Sequence, residues 1–200
     1  MQYMQEQQVY IIWSKMDFKK NVMYQLATLF GLGRLPGGGT WASLVVLLTA
    51  ILAKDPSNPL IFFGFVTMFF APAIYESSLP LFKSKDPKEF VLDEVLGMAL
   101  AIIIVDIFSD IFGGFAFNLP DYINNKELLF VITFILFRIF DISKIGPVGW
   151  TEDPETAPLW WQKSDTTDDA YARVIGDDLM AAFLSSGIVI LMLSIYLWAL

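Results

Sequence analysis

Three acidic groups in this 200-residue chain have the residue types and spacing to do chemistry: Asp93-Glu94, Asp141 and Asp177-Asp178. Each lies at or near one end of an apolar segment. Ionisable groups in such positions are costly and by default mark a functional site; the plainer reading is a solvated helix end or an acid favoured by the helix dipole. Three such groups at one level weigh against the plainer reading. The chain has no histidine and no cysteine, which excludes thiolate nucleophiles, phosphohistidine chemistry and zinc sites built from nitrogen and sulfur ligands. Any metal must be held by oxygen, as Mg²⁺, Ca²⁺ and Mn²⁺ are. Carboxylates gathered in one place repel unless a positive group lies between them. A hard divalent cation fits, and Mg²⁺ pairs one or two carboxylates with substrate phosphate oxygens. Such an ion polarises a phosphoryl oxygen and acidifies a bound water. Arg138 and Lys144 beside Asp141 are candidate phosphate clamps, Arg by bidentate contact and Lys as a point charge. Their alternative is ordinary flanking charge.

The stretch GRLPGGGTWASL, Gly33 to Leu44, is the second candidate. It is a near miss to the nucleotide loop GxxxxGK[ST], with glycine where the lysine must be and no strand before it, so nucleotide binding is rejected. Two readings remain. Gly38 and Gly39 let backbone N–H groups approach an anion, with Thr40 at a helix N-terminus; or the run is a hinge.

The elements that must position these residues are apolar. Hydrophobic residues make up 56% of the chain and its mean hydropathy is +0.56, above the roughly 45–50% of an ordinary globular domain. Five apolar segments stand out: Trp41–Ala53, Leu60–Tyr75, Phe90–Phe112, Leu128–Ile142 and Leu179–Leu200. A spanning helix needs about 20 residues. The third and fifth segments reach this; the first and fourth are short enough to be partly re-entrant. The expected architecture is therefore all-α, a polytopic integral membrane protein of about five transmembrane or partly re-entrant helices. A single domain covers residues 1–200, with 1–21 as a cytoplasmic extension; no cleavage site follows Lys15, Lys19 and Lys20.

Five crossings place residues 1–40, 76–89 and 143–178 on one side. With Arg138, that side carries eleven of the thirteen Lys and Arg, leaving Lys54 and Lys126 opposite. By the positive-inside rule the first side is cytoplasmic, and all three acidic groups lie there. The net charge of −8 shows no basic stripe, which argues against a nucleic-acid partner. Asp86-Pro87-Lys88-Glu89 reads as an N-cap and first turn for the third helix, placing Asp93-Glu94 about two turns in. Thr166-Thr167-Asp168-Asp169 reads as a start for the last helix. Pro147, Pro154 and Pro158 make Gly146–Trp161 an irregular loop. Asp106 and Asp110 fall at the far end of the third helix, away from the cluster.

Taken in order, PGGGTWASL, DPKEFVLDEVLGM, FRIFDISKIGP and IGDDLMA resemble the phosphatidylglycerophosphatase A family, from about Leu26 to Phe183. The family's P-G-T-x-G-S loop falls on Gly39, Thr40 and Ser43, with Ala42 where glycine is common. Its D-E-x-x-G pattern falls on Asp93, Glu94 and Gly97. Its F-R-x-x-D-x-x-K-P pattern falls on Arg138, Asp141 and Lys144, with Pro147 two residues late, and its D-D pair on Asp177 and Asp178. Before that pair, Ala172-Arg173-Val174-Ile175-Gly176 stands where the family has several glycines.

The resemblance implies a membrane enzyme, a phosphoric monoester hydrolase that removes the terminal phosphate of phosphatidylglycerophosphate in phospholipid biosynthesis. It acts at the cytoplasmic face of a bacterial inner membrane, with Mg²⁺ as cofactor and the phospholipid as its partner. Asp93, Glu94, Asp141, Asp177 and Asp178 would supply metal ligands and a general base. Gly38, Gly39, Thr40, Ser43, Arg138 and Lys144 would hold the phosphate. Whether water or a carboxylate attacks first stays open, although no DxDx[TV] nucleophile is present. The alternative is a cation-coupled small membrane transporter, which calls for acids near mid-membrane and internal pseudo-symmetry. A CDP-alcohol phosphotransferase is set aside because its D-x-x-D-G…G-x-x-x-D-x-x-x-D pattern is absent.

Overall fold

A computed structural model describes residues 18–53, 57–83, 87–115, 126–152 and 170–199. Among these residues every regular element is helical. Helix α1 covers residues 18–27. It is followed by α2 (Gly38–Leu52), α3 (Ser57–Ser78), α4 (Leu92–Phe115), α5 (Lys126–Ser143), α6 (Pro147–Glu152) and α7 (Ala170–Ala199), with short 3₁₀ turns at Leu32–Arg34 and Leu79–Leu81.

Helix α4 is the axis of the bundle. It packs against α2, α3, α5 and α7, most extensively α7. Its inward residues are small or medium-sized: Val95, Met98, Ala99, Ala101, Ile102 and Val105 are all buried. Helix α7 answers with Ala181, Ala182, Ser185 and Ser186, also buried. Small residues spaced four apart on facing helices let backbones approach closely, the packing mode available where lipid removes the usual hydrophobic drive. Large apolar side chains lie outside instead: Phe62, Phe65, Phe69 and Phe70 on α3, and Leu191, Met192, Ile195 and Trp198 on α7 are exposed.

Two helical stretches, Pro59–Leu81 and Ile175–Tyr196, are long and apolar enough to cross a membrane. The other helices differ from these two in length or in charge. Helix α2 has 15 residues, about 23 Å against a hydrocarbon core near 30 Å. Helix α4 has 24 residues but carries Asp93, Glu94, Asp106 and Asp110. Helix α5 includes Lys126, Glu127, Arg138 and Asp141 within its 18 residues.

Two local expectations are corrected. Helix α4 begins at Leu92, so Asp93 and Glu94 occupy its first turn rather than lying about two turns in. Residues 87–90 form a turn closed by Phe90 N–H donating to the Pro87 carbonyl (2.9 Å), and Val91 N–H donates to the Ala27 carbonyl at the end of α1 (3.1 Å). That tertiary bond holds the chain extended just where the Pro-x-Glu pattern would start a helix. Pro147, expected in an irregular loop, is instead the first residue of α6, where its fixed φ is pre-set for a helix. Asp86 and residues 153–169, including the Thr166–Asp169 start, lie outside the described residues.

Candidate active site

The chain leaves α1 through three consecutive left-handed residues, Leu29 (φ 47°), Phe30 (φ 55°) and Gly31 (φ 92°). For Leu and Phe this region costs roughly 1–3 kcal/mol each and persists only where the surroundings hold it. Here they do. Gly31 N–H donates to the Thr28 carbonyl (3.0 Å) and Gly33 N–H to the same carbonyl (2.9 Å), while the buried Thr28 hydroxyl accepts a further bond from Gly31 N–H (3.1 Å).

The glycine run then nests into the bundle by close approach. A Cβ at Gly33 would strike the Glu89 carbonyl, one at Gly38 the Gly33 backbone, and one at Gly39 the Glu94 carboxylate. Gly37 (φ 71°) caps α2 without a side-chain bond. The N–H groups of Gly38 and Gly39, in the first turn of α2, have no intrahelical acceptor. The stretch is thus a packed turn whose missing side chains make room for Glu94 and for the α1–α4 junction.

Glu94 belongs to a compact acidic group. Carboxylate oxygens of Asp93, Glu94 and Asp178 all lie within 4.8 Å of one another. Gly97, one turn along α4, makes this possible: a Cβ there would stand 2.9 Å from the Asp178 carbonyl and 3.0 Å from Asp178 Cβ. Asp93 Oδ1 accepts from Glu94 N–H (3.0 Å), and Asp177 Oδ1 likewise accepts from Asp178 N–H (2.9 Å). Glu94 Oε2 and Asp178 Oδ1 are buried with no hydrogen-bond partner. Buried acceptors are almost always satisfied, and three facing carboxylates with two vacant oxygens suit a divalent cation bound by oxygen.

The remaining acids are engaged differently. Arg138 Nη1 contacts Asp141 Oδ2 (2.8 Å), and Lys144 Nζ reaches Asp141 Oδ1 (3.3 Å) and also pairs with Asp177. Behind them, Arg138 Nη1 donates to the buried Ser43 hydroxyl (3.2 Å), which in turn donates to the Gly39 carbonyl (2.8 Å). A polar chain therefore runs Gly39–Ser43–Arg138–Asp141–Lys144–Asp177, linking α2, α5 and α7. Lys144 sits just past α5 in the left-handed region (φ 50°), the usual place for a helix C-cap. Its partial burial opposes its charge, but the hydrogen bond to Asp177 and the fields of Asp177 and Asp141 outweigh this and raise its pKa above an ordinary lysine's. Arg138 keeps one donor, Nε, buried and unpartnered.

Most of these residues face one cavity of about 710 Å³, within the range of small-molecule sites. Asp93, Glu94, Asp141, Asp177, Asp178, Gly38, Gly39, Arg138 and Lys144 line it. Thr40 and Ser43 are not in its wall: Thr40 N–H donates back to the Gly37 carbonyl (2.9 Å), and Ser43 lies behind Arg138. Three charged residues that the sequence motifs do not single out also line it: Arg34, Lys88 and Glu89. Arg34 stands inside the glycine-rich stretch, and the other two have the look of a helix cap.

A family model described as phosphatidylglycerophosphatase A matches residues 25–193. No curated protein and no solved structure matches the chain.

Proposed function

The chain belongs to the phosphatidylglycerophosphatase A family, a phosphatase family, and we propose that it removes the terminal phosphate of phosphatidylglycerophosphate in a divalent-cation-dependent hydrolysis. The observation that carries this reading is the division of labour in the cavity. Asp93, Glu94 and Asp178 converge without a cation of their own, beside two basic side chains held in place by two other acids.

In this reading Asp93, Glu94 and Asp178 hold the cation, Mg²⁺ by the hardness of its ligands. When bound, it polarises the phosphoryl oxygen and lowers the pKa of an attacking water. Arg138 and Lys144 neutralise the phosphate charge, and the free N–H groups of Gly38 and Gly39 add the positive end of α2. Asp141 and Asp177 orient Arg138 and Lys144. Ser43 orients Arg138 rather than touching phosphate, and Thr40 supports the turn from outside the cavity wall.

We further propose that residues 1–200 form one membrane-embedded domain with an N-terminal extension. All five long helices are embedded, α2 and α5 as short or partly re-entrant elements, and the cavity opens at the cytoplasmic face, a side supported by the distribution of Lys and Arg. The apolar exteriors of α3 and α7 support the embedding. A transporter calls for unpaired acids near mid-membrane, whereas the acid nearest the middle of α4, Asp106, is paired with Lys126.

The test is phosphate release from phosphatidylglycerophosphate by the purified protein, with Mg²⁺ and with chelator. Release that depends on the cation and vanishes in Asp178→Asn is expected. A wild type inert on every phospholipid monoester would sink the reading.

A further inference from the structure

The charges lining the cavity fall into three groups. Asp93, Glu94 and Asp178 gather without a basic partner, while Arg138 and Lys144 are tied to Asp141 and Asp177. Arg34 and Lys88 line the same cavity, both exposed, and neither makes an ion pair among the described residues.

Arg34 is held in place despite its exposure. Its guanidinium lies over the Tyr24 ring (5.5 Å to the centroid) and donates to the Gln25 side-chain oxygen (3.4 Å). It also occupies the space that a side chain at residue 31 would need, since a Cβ on Gly31 would meet Arg34 Nη2 at 2.9 Å. Two contacts from α1 hold the group without neutralising it. The turn bearing Lys88 packs directly on the Arg34 turn, with Gly33 against the Glu89 carbonyl. Glu89, next to Lys88 in the chain, also lines the cavity.

An arginine held in place but left without a carboxylate is a ready anion receptor, because its donors are aligned before the ligand arrives. The cavity already has cations for one phosphate in Arg138 and Lys144, and its volume exceeds what a phosphate group fills. Resting on the phosphatase reading, we propose that Arg34 and Lys88 form a second anion subsite. It receives the phosphodiester that joins the headgroup to the diacylglycerol and thereby selects lipids carrying a phosphodiester next to the phosphomonoester. Arg34 is the principal residue, and Lys88 adds charge without fixed geometry.

Two measurements separate this subsite from the phosphatase reading. The first is binding of short-chain phosphatidylglycerol, which carries the phosphodiester but no monoester, titrated calorimetrically onto the purified protein in detergent. Arg34→Gln combined with Lys88→Gln is expected to weaken binding about tenfold, the effect of roughly 1.4 kcal/mol, and Arg34→Lys to recover only part of it. The second is the ratio of kcat/KM for phosphatidylglycerophosphate over phosphatidic acid, which is expected to fall about tenfold in the double variant through KM. Equal affinity for phosphatidylglycerol in wild type and double variant, no measurable binding in the wild type, or an unchanged ratio would each overturn the subsite. Binding that depends on Arg34 in a protein that hydrolyses nothing would leave the subsite standing and remove the phosphatase.

Discussion

Helix α4 carries two pairs of acids, Asp93 and Glu94 in its first turn and Asp106 and Asp110 in its second half, the pair centres about 22 Å apart along the axis. At the far end Lys126 answers both acids, at 2.8 Å from Asp106 and 2.6 Å from Asp110. That end has a counter-ion of its own. At the near end no Lys or Arg among the described residues pairs with Asp93 or Glu94, and α7 brings in a third carboxylate, Asp178. A fold that supplies a counter-ion at one end of a helix and adds an acid at the other has left room for a cation from outside. An acid in an apolar helix is thus not a site by itself; what distinguishes a site is the missing partner.

The largest effect should come from the near end itself. Asp178→Asn removes one of three converging carboxylates, and its activity loss should exceed the roughly 10–100-fold typical of losing a metal's outer-shell support. Phosphate release at saturating Mg²⁺ measures it. Gly39→Ala comes next. The added methyl meets the end of the Glu94 side chain, which can swing aside at little cost in stability but not while keeping its place in the cluster. Activity should fall at least about tenfold, with Tm lowered by no more than the few degrees that about 1 kcal/mol produces in a chain of this size. A large Tm drop with activity retained in the folded fraction would reduce Gly39 to packing.

Ser43→Ala deletes a hydrogen bond to a charged group, worth about 1.5–3 kcal/mol, so kcat/KM should fall roughly tenfold, and further than in Thr40→Ala. The reverse order would place Thr40, not Ser43, in contact with the reaction. The smallest effect belongs to the far end. Asp110→Asn breaks an exposed pair of the kind worth about 0.2–1 kcal/mol, and activity should stay within about twofold.

Much of this arrangement is legible in the order of the residues. The apolar segments mark α2, α3, α4, α5 and α7, because runs of that length and composition have few alternatives, and the four motifs in order identify the family. Chain order also puts Asp93, Asp141 and Asp177 at one level. Partnership is not legible in this way: that Asp141 and Asp177 are committed to Arg138 and Lys144 while Asp178 is not depends on how α5 and α7 rotate against α4. Local rules also fail where a distant contact overrides them. Asp-Pro-Lys-Glu has the form of a helix start, yet Val91 is bonded to Ala27 and α4 waits until Leu92. The glycine run leaves two readings open because close approach to Glu89 and Glu94 is a property of the packed turn. Ser43 and Thr40 look equally suited to phosphate from their motif; only burial sends Ser43 behind Arg138.

The contrast between the two ends of α4 is tested most directly by titrating Mn²⁺, as an oxygen-seeking stand-in for Mg²⁺, into the purified protein and following free ion by electron paramagnetic resonance. Saturable binding is expected in the wild type, lost or weakened at least about tenfold in Asp178→Asn and unchanged in Asp110→Asn. Binding retained in Asp178→Asn, or lost in Asp110→Asn, would contradict a cation site at the near end of the helix.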